Sequence, residues 1–218
     1  MLPPRRQLNW ILKSKHYIVH LGGTFMSKEE KKIEILRAAG PVFFTKGFEG
    51  TKIEDIAREA GIGKGTVYEY FESKQQLFED TLAYNYELMV DSLRQALAQG
   101  EYIRDKIIAF ARFMTDLISN HLHLFDLMAT SSILAREMGA IILESNVRLG
   151  SVLLDTVKAA VGKGELRSDL EPEIIVSVIL GTVYQYCSLK VIFHKQKSQD
   201  IDFDRLVDAV VQGIGQVK

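Results

Sequence analysis

Three glycines in five residues open the stretch GIGKGTVYEYFESK at 61–74, directly before residues with helical spacing. Gly61 suits the left-handed residue that ends a helix, and Gly63 can open the next one. Gly65 in its first turn keeps the backbone bare where something large can approach. A helix start of that kind suits a phosphate backbone. It is not a phosphate loop, because no strand precedes the glycines. Other chemistry is poorly served. His121 and His123 are two apart and do not share a helix face, no cysteine or patterned acid completes a ligand set, and Asp126 alone is a faint metal candidate. There is no G-x-S-x-G or H-E-x-x-H motif. No catalytic residue, metal or cofactor is therefore expected.

The elements that must position this stretch follow from apolar spacing. Ile33, Leu36, Gly40, Phe43 and Phe44 recur at three and four, predicting a helix from Ser27 to about Thr45, stopped near Gly47. Pro41 either kinks it or divides off a final turn. Thr51 and Glu54 match a reciprocal cap for a short helix, Lys52 to Ala60, with Ile53, Ile56, Ala57 and Ala60 inward. A second short helix, Lys64 to Phe71, turns Val67 and Phe71 inside. Two short helices about a glycine turn form the helix-turn-helix unit, whose second member normally lies in the DNA major groove. The same pattern also occurs in all-helical proteins with no nucleic-acid role.

Ser73 and Gln76 repeat the capping signature before a long helix to about Ala98. Further helices are expected near 102–119, 122–136, 139–161, 172–194 and 202–213. No segment has strand-like alternation, so the expected fold is all-α. Three parts are expected: an extension at 1–25, a helix-turn-helix domain at 26–73, and a helical body at 74–218.

Composition sets limits on partners. The chain has 218 residues, 47% of them hydrophobic, and a formal net charge of -1. Phosphate affinity comes mostly from Lys and Arg, so any DNA contact must come from a few selected positions. The basic extension carries Arg5, Arg6, Lys13 and Lys15 with no acidic residue. It is read as a disordered tail or an upstream start, or else as a basic arm. Cys187 is the only cysteine, which excludes an internal disulfide and points to a reducing compartment, the cytoplasm. The richest apolar run, IIVSVIL at 174–180, is too short to span a bilayer alone, so no membrane is expected.

The full string is more specific than the pattern. Ile33, Ala38, Ala39, Phe43, Gly47, Thr51, Ile56, Ala57, Ala60, Gly61, Gly65, Thr66, Tyr68, Tyr70, Phe71, Ser73, Lys74 and Leu77, in these spacings, closely resemble the DNA-binding head of the tetracycline-repressor (TetR) family. Gly63 stands where the family often has a capping serine, which removes one hydroxyl that could touch DNA. The resemblance implies a transcriptional regulator, most often a repressor, that binds double-stranded operator DNA. It puts Lys64 and Thr66 at base edges, Lys donating to guanine O6 or N7 and Thr meeting a thymine methyl or a phosphate. For Lys64 the alternative is an ordinary solvated lysine. Tyr68 and Lys74 match residues that hold phosphates, and Thr51 would offer its hydroxyl and backbone N–H groups to another.

For the body, the resemblance implies a homodimer through the last two long helices, with Ile174, Val178, Gly181, Gln185, Phe203, Leu206 and Val210 as interface candidates. It also implies a cavity for a small hydrophobic or amphipathic effector. Candidate lining residues are Phe110, Met114, Leu117, His121, Phe125, Met128, Ile142, Val147 and Tyr184, each equally readable as core packing. The rival classes are a non-switching architectural DNA-binding protein and a small helical enzyme.

Overall fold

The computed structural model describes residues 27–130 and 132–214, and for 121–146 and 214 only the course of the backbone. Eight α-helices are described: α1 (Lys28–Gly50), α2 (Ile53–Glu59), α3 (Lys64–Tyr70), α4 (Lys74–Ala98), α5 (Ile103–Thr130), α6 (Ser132–Gly162), α7 (Pro172–Ser188) and α8 (Phe203–Ile214). A π-type turn at Leu189–Phe193 and a 3-10 turn at Ser198–Asp200 join the last two. The separate helix expected at 122–136 does not form. α5 runs on to Thr130 and α6 starts at Ser132, because apolar spacing continues through the region and neither glycine nor proline stops it. Residues 1–26, where the basic extension falls, lie outside the described residues.

Contacts divide the chain into two units. One comprises the chain up to Leu88 with Leu127–Ile141, the other Met89–Asp126 with Ile142 onward.

In the first unit, Ser27 opens α1 with a reciprocal cap. Its hydroxyl accepts from the Glu30 N–H at 3.1 Å, and the Glu30 carboxylate accepts from the Ser27 N–H at 2.8 Å. The helix passes through Pro41 with helical backbone angles and breaks at Gly47 instead, where φ is 69° and ψ is 172°. That combination is essentially confined to glycine. Beyond the break, Phe48 folds back so that its ring and that of Phe43 both pack on Phe78, at 5.2 and 5.0 Å between centroids. Ile35, Ala39, Ile56, Val67, Phe71 and Leu77 complete this core.

Thr51 is placed differently from the expected cap. It is 1% exposed, and its hydroxyl donates to the Gly47 carbonyl at 2.7 Å. α2 starts at Ile53 with Lys52 at the cap position and no side-chain bond there. The break at Gly47 turns that carbonyl toward Thr51 and captures the hydroxyl that the next helix would have used. The Lys74 amine at the start of α4 then donates to the Thr51 carbonyl at 3.0 Å and lies 4.4 Å from the centre of the Phe48 ring. One buried residue thus ties the end of α1 to the start of α4.

The second unit is built on one apolar core. α5 contributes Ile107, Phe110, Ala111 and Met114, α6 Leu153 and Val157, α7 Ile175, Ile179 and Val183, and α8 Phe203, Val207 and Val210. Glu165 accepts from the Ile103 N–H, capping α5 from a distant loop. Arg104 pins α8 through Asp204 and Asp208, both at 2.9 Å. Burial raises the Cys187 thiol above its ordinary range, which keeps it an inert core residue.

Pro172–Phe193, 22 residues containing an 18-residue window of mean hydropathy 1.5, is long and apolar enough to cross a membrane by length and composition, so the short-run expectation underestimated it. Its inner residues Ile175, Ile179, Val183 and Cys187 are wholly buried in protein. A core helix passes the same composition test.

Replacing Gly47 by Ala forces a side chain into its positive-φ conformation although the space beside it is open. The expected cost is about 1–3 kcal/mol of head stability in denaturant unfolding, with cooperativity retained.

Candidate nucleic-acid interface

The turn between α2 and α3 is built from backbone bonds. At the end of α2 the Ile62 N–H reaches the Ala57 carbonyl at 2.9 Å and the Gly61 N–H reaches Arg58 at 3.3 Å, with Gly61 at φ 66°. This double closure is the common glycine stop, and it turns the chain sharply into α3. Gly63 then occupies the α3 cap position with an ordinary extended φ of -75°.

α3 is held by Val67 and by Phe71 just past its end, which are 0% and 1% exposed. Lys64, Gly65, Tyr68 and Glu69 are exposed, whereas Thr66 and Tyr70 are half-buried. Tyr68 shows 47% of its surface, unusual for a large aromatic. An added Cβ at Gly63 or Gly65 would meet nothing within 4 Å. The first turn of α3 therefore offers a lysine, a bare backbone position and a threonine side by side, with a tyrosine one turn on.

The charges around this turn are paired. The Lys64 amine lies 2.7 Å from the Glu54 carboxylate and 5.9 Å from the centre of the Tyr68 ring. The hydrogen bond from Lys64 lowers the Glu54 carboxyl below its usual range, and the same bond raises the amine. Lys46, at 2.7 Å, and Arg58 both hold Asp55, and together they lower its carboxyl to about 2. Sequence reasoning gave Glu54 to a helix cap and missed its pairing with Lys64. Residues ten apart meet only because of the turn, and no local spacing rule contains that.

Thr51 is a correction at this site also. Its hydroxyl is committed to Gly47 and its N–H to the Phe48 carbonyl at 3.3 Å, so neither is offered to a phosphate. Lys74 is half-buried with one amine hydrogen given to Thr51, which fixes its position and leaves other donors.

The remaining expected residues lie in the second unit. Ile174, Val178, Gly181 and Gln185 are exposed along one face of α7, joined by Tyr184 and Leu189. Phe203, Leu206 and Val210 do not belong to such a face. They are buried in the chain's own core, and α8 turns Asp204, Arg205, Asp208 and Gln212 outward. Among the candidate lining residues, Phe110 and Met114 are buried core and Leu117 is half-buried. Val147, 65% exposed, and Tyr184, 45% exposed, face outward and do not join them. The side chains of His121, Phe125, Met128 and Ile142 lie outside the described residues. Among the described residues, no group of three His, Cys, Asp or Glu side chains is placed to hold a metal ion.

Comparison with known proteins bears on the same segment. The sequence profile of bacterial regulatory proteins of the tetR family matches residues 35–81. The transcriptional activator FasR of Mycolicibacterium smegmatis is 29% identical over 98 residues, and the match spans 45% of this chain and 45% of FasR. A crystal structure of a TetR-family regulator from Mesorhizobium loti superposes with a TM-score of 0.71 at 21% identity, covering 88% of this chain and all of that one. The regulator FadR of Bacillus subtilis, solved with stearoyl-CoA, gives a TM-score of 0.56 at 18% identity over 83% of this chain and 95% of FadR.

The bare position in α3 makes stability and binding separable. Gly65→Ala is expected to stabilise the head by up to about 1 kcal/mol in thermal or urea unfolding, since alanine is the better helix residue and the space is open. Duplex affinity, read by fluorescence anisotropy, is expected to fall roughly tenfold if α3 is the DNA-facing helix, because the added methyl would then stand in the way of a close approach.

Proposed function

We propose that the chain, whose residues 35–81 match the profile of bacterial regulatory proteins of the tetR family, is a member of that family and a sequence-specific transcriptional regulator, a homodimeric repressor released from operator DNA by a small hydrophobic or amphipathic effector. The observation that carries this reading is the start of α3, exposed at Lys64, Gly65 and Tyr68 while Val67 and Phe71 hold the helix from behind. In the proposed complex Lys64 and Thr66 read base edges, and Gly63 and Gly65 admit the duplex closely. Tyr68 and the spare donors of Lys74 grip phosphates, positioning the head without specifying sequence. The reaction class is binding alone, and the protein would act in the cytoplasm, where the DNA is.

One head reads few base pairs, so specificity calls for two heads on half-sites roughly 34–36 Å apart or farther. The outward face of α7 supports the pairing. Ile174, Val178 and Leu189 are large apolar residues left exposed in line with Gly181 and Gln185. Such a face on an otherwise buried helix suits a second copy, and Gly181 would let the two helices come close.

An effector can act only by preferring the body conformation that spaces the heads wrongly, and DNA must then weaken effector binding by the same factor. Phe110, Met114 and Leu117 give α5 the apolar character that suits a hydrophobic ligand. FadR of B. subtilis, with its bound stearoyl-CoA, supplies a ligand class to try first.

Two measurements test this. Selection from a random duplex pool should return a two-fold symmetric sequence. Gly181→Arg, at an exposed position where an added Cβ meets nothing within 4 Å, should sediment as a folded monomer and lose roughly a hundredfold in affinity for that sequence. A variant that remains dimeric and binds normally would place the interface elsewhere. Stearoyl-CoA at micromolar concentration should release the selected duplex, and the duplex should weaken stearoyl-CoA binding equally. If release fails with stearoyl-CoA and with shorter acyl-CoA thioesters, that ligand class is wrong.

A further inference from the structure

We infer that Glu54 is a specificity-determining residue of the head: its carboxylate competes with DNA phosphates for the Lys64 amine and so holds down binding to duplexes that offer Lys64 no base contact. This rests on the DNA-binding reading above.

The pair bridges the turn from the first turn of α2 to the first turn of α3, 2.7 Å between Nζ and Oε1. Both side chains are about half exposed, so the contact lies at the surface. The Glu54 carboxylate also takes a hydrogen bond from its own backbone N–H in the first turn of α2, where Asp55 supplies a second acidic group. The Tyr68 ring, 5.9 Å from the amine, flanks Lys64 from its own helix. The amine thus sits between a carboxylate and an aromatic ring, on the face where DNA would lie. Because each partner favours the charged form of the other, the pair is ionised at neutral pH.

Sequence-independent binding draws its affinity from cations that displace counterions from phosphates. The head has few to spare, since Lys46 and Arg58 both hold Asp55. If Lys64 leaves Glu54 for a phosphate, it exchanges one anion for another, and the abandoned carboxylate faces the duplex without its principal partner, with only the weaker pull of Lys52 and its own backbone N–H left to it. On a matching sequence the exchange is repaid by base contacts; on any other it is not. Glu54 therefore penalises the wrong duplex more than the right one.

The test uses full-length protein with Glu54→Gln, Lys64→Gln and the double variant, titrated by anisotropy onto a mixed-sequence duplex over a range of salt concentrations. Glu54 is exposed, and unchanged thermal unfolding of each variant checks the fold. Glu54→Gln is expected to tighten mixed-sequence binding by about two- to fivefold and to steepen the log–log salt dependence by about one. Binding to the selected duplex should change less, so the specificity ratio falls. Lys64→Gln in the same background should abolish the gain. A Glu54→Gln salt slope equal to wild type, or a gain of the same size without Lys64, overturns the inference while leaving the DNA-binding reading intact. Wild-type protein that binds no duplex even at low salt overturns both.

Discussion

A helix of seven residues cannot hold itself in water, because nucleating it costs more than its few hydrogen bonds return. α3 exists only because Val67 and Phe71 are sunk into the core formed by α1, α2 and the start of α4. Everything else about the head follows from that constraint. With one face of so short a helix given to the core, the other positions are free to be lysine, glycine, threonine and tyrosine without loss of fold. The core must in turn be rigid for those positions to matter. Thr51 does much of this, with its hydroxyl on the Gly47 carbonyl and its own carbonyl under the Lys74 amine. A break in α1, a turn and the start of α4 are fixed together at one buried threonine.

The second unit uses a different device. α7 is apolar on both sides, and its two sides have different fates. Ile175, Ile179 and Val183 are buried in the chain's own core, whereas Ile174 and Val178 are exposed, as is Leu189 just past its end. α8 is apolar on one side only, and that side is consumed by the core, with Arg104 clamping its charged side through Asp204 and Asp208. The helix with surplus apolar surface is therefore the one on which the proposed second copy would have something to bury.

Much of the head is legible in sequence because its determinants are local. The Gly61 stop needs φ above zero at one residue, and Ser73 caps α4 by accepting from the Gln76 N–H at 3.1 Å, as its spacing predicts. Two features escaped for one physical reason. Thr51 and Glu54 have the spacing of a reciprocal cap, but each finds a stronger partner through tertiary structure, a buried carbonyl for one and Lys64 for the other. In the body, helical periodicity identifies apolar stripes without saying which surface covers them. Phe203, Leu206 and Val210 are therefore readable as interface until their burial in the same chain is seen. The α5–α6 boundary escaped because Thr130 and Ser132 carry no breaker between them.

Amide chemical-shift mapping during titration with the selected duplex tests the central claim most directly. The largest changes are expected at Lys64, Gly65, Thr66 and Tyr68, with the buried residues Ile175, Ile179 and Val183 of α7 little affected. Saturable binding that leaves the first turn of α3 unshifted, with the changes collected on another surface, would contradict it.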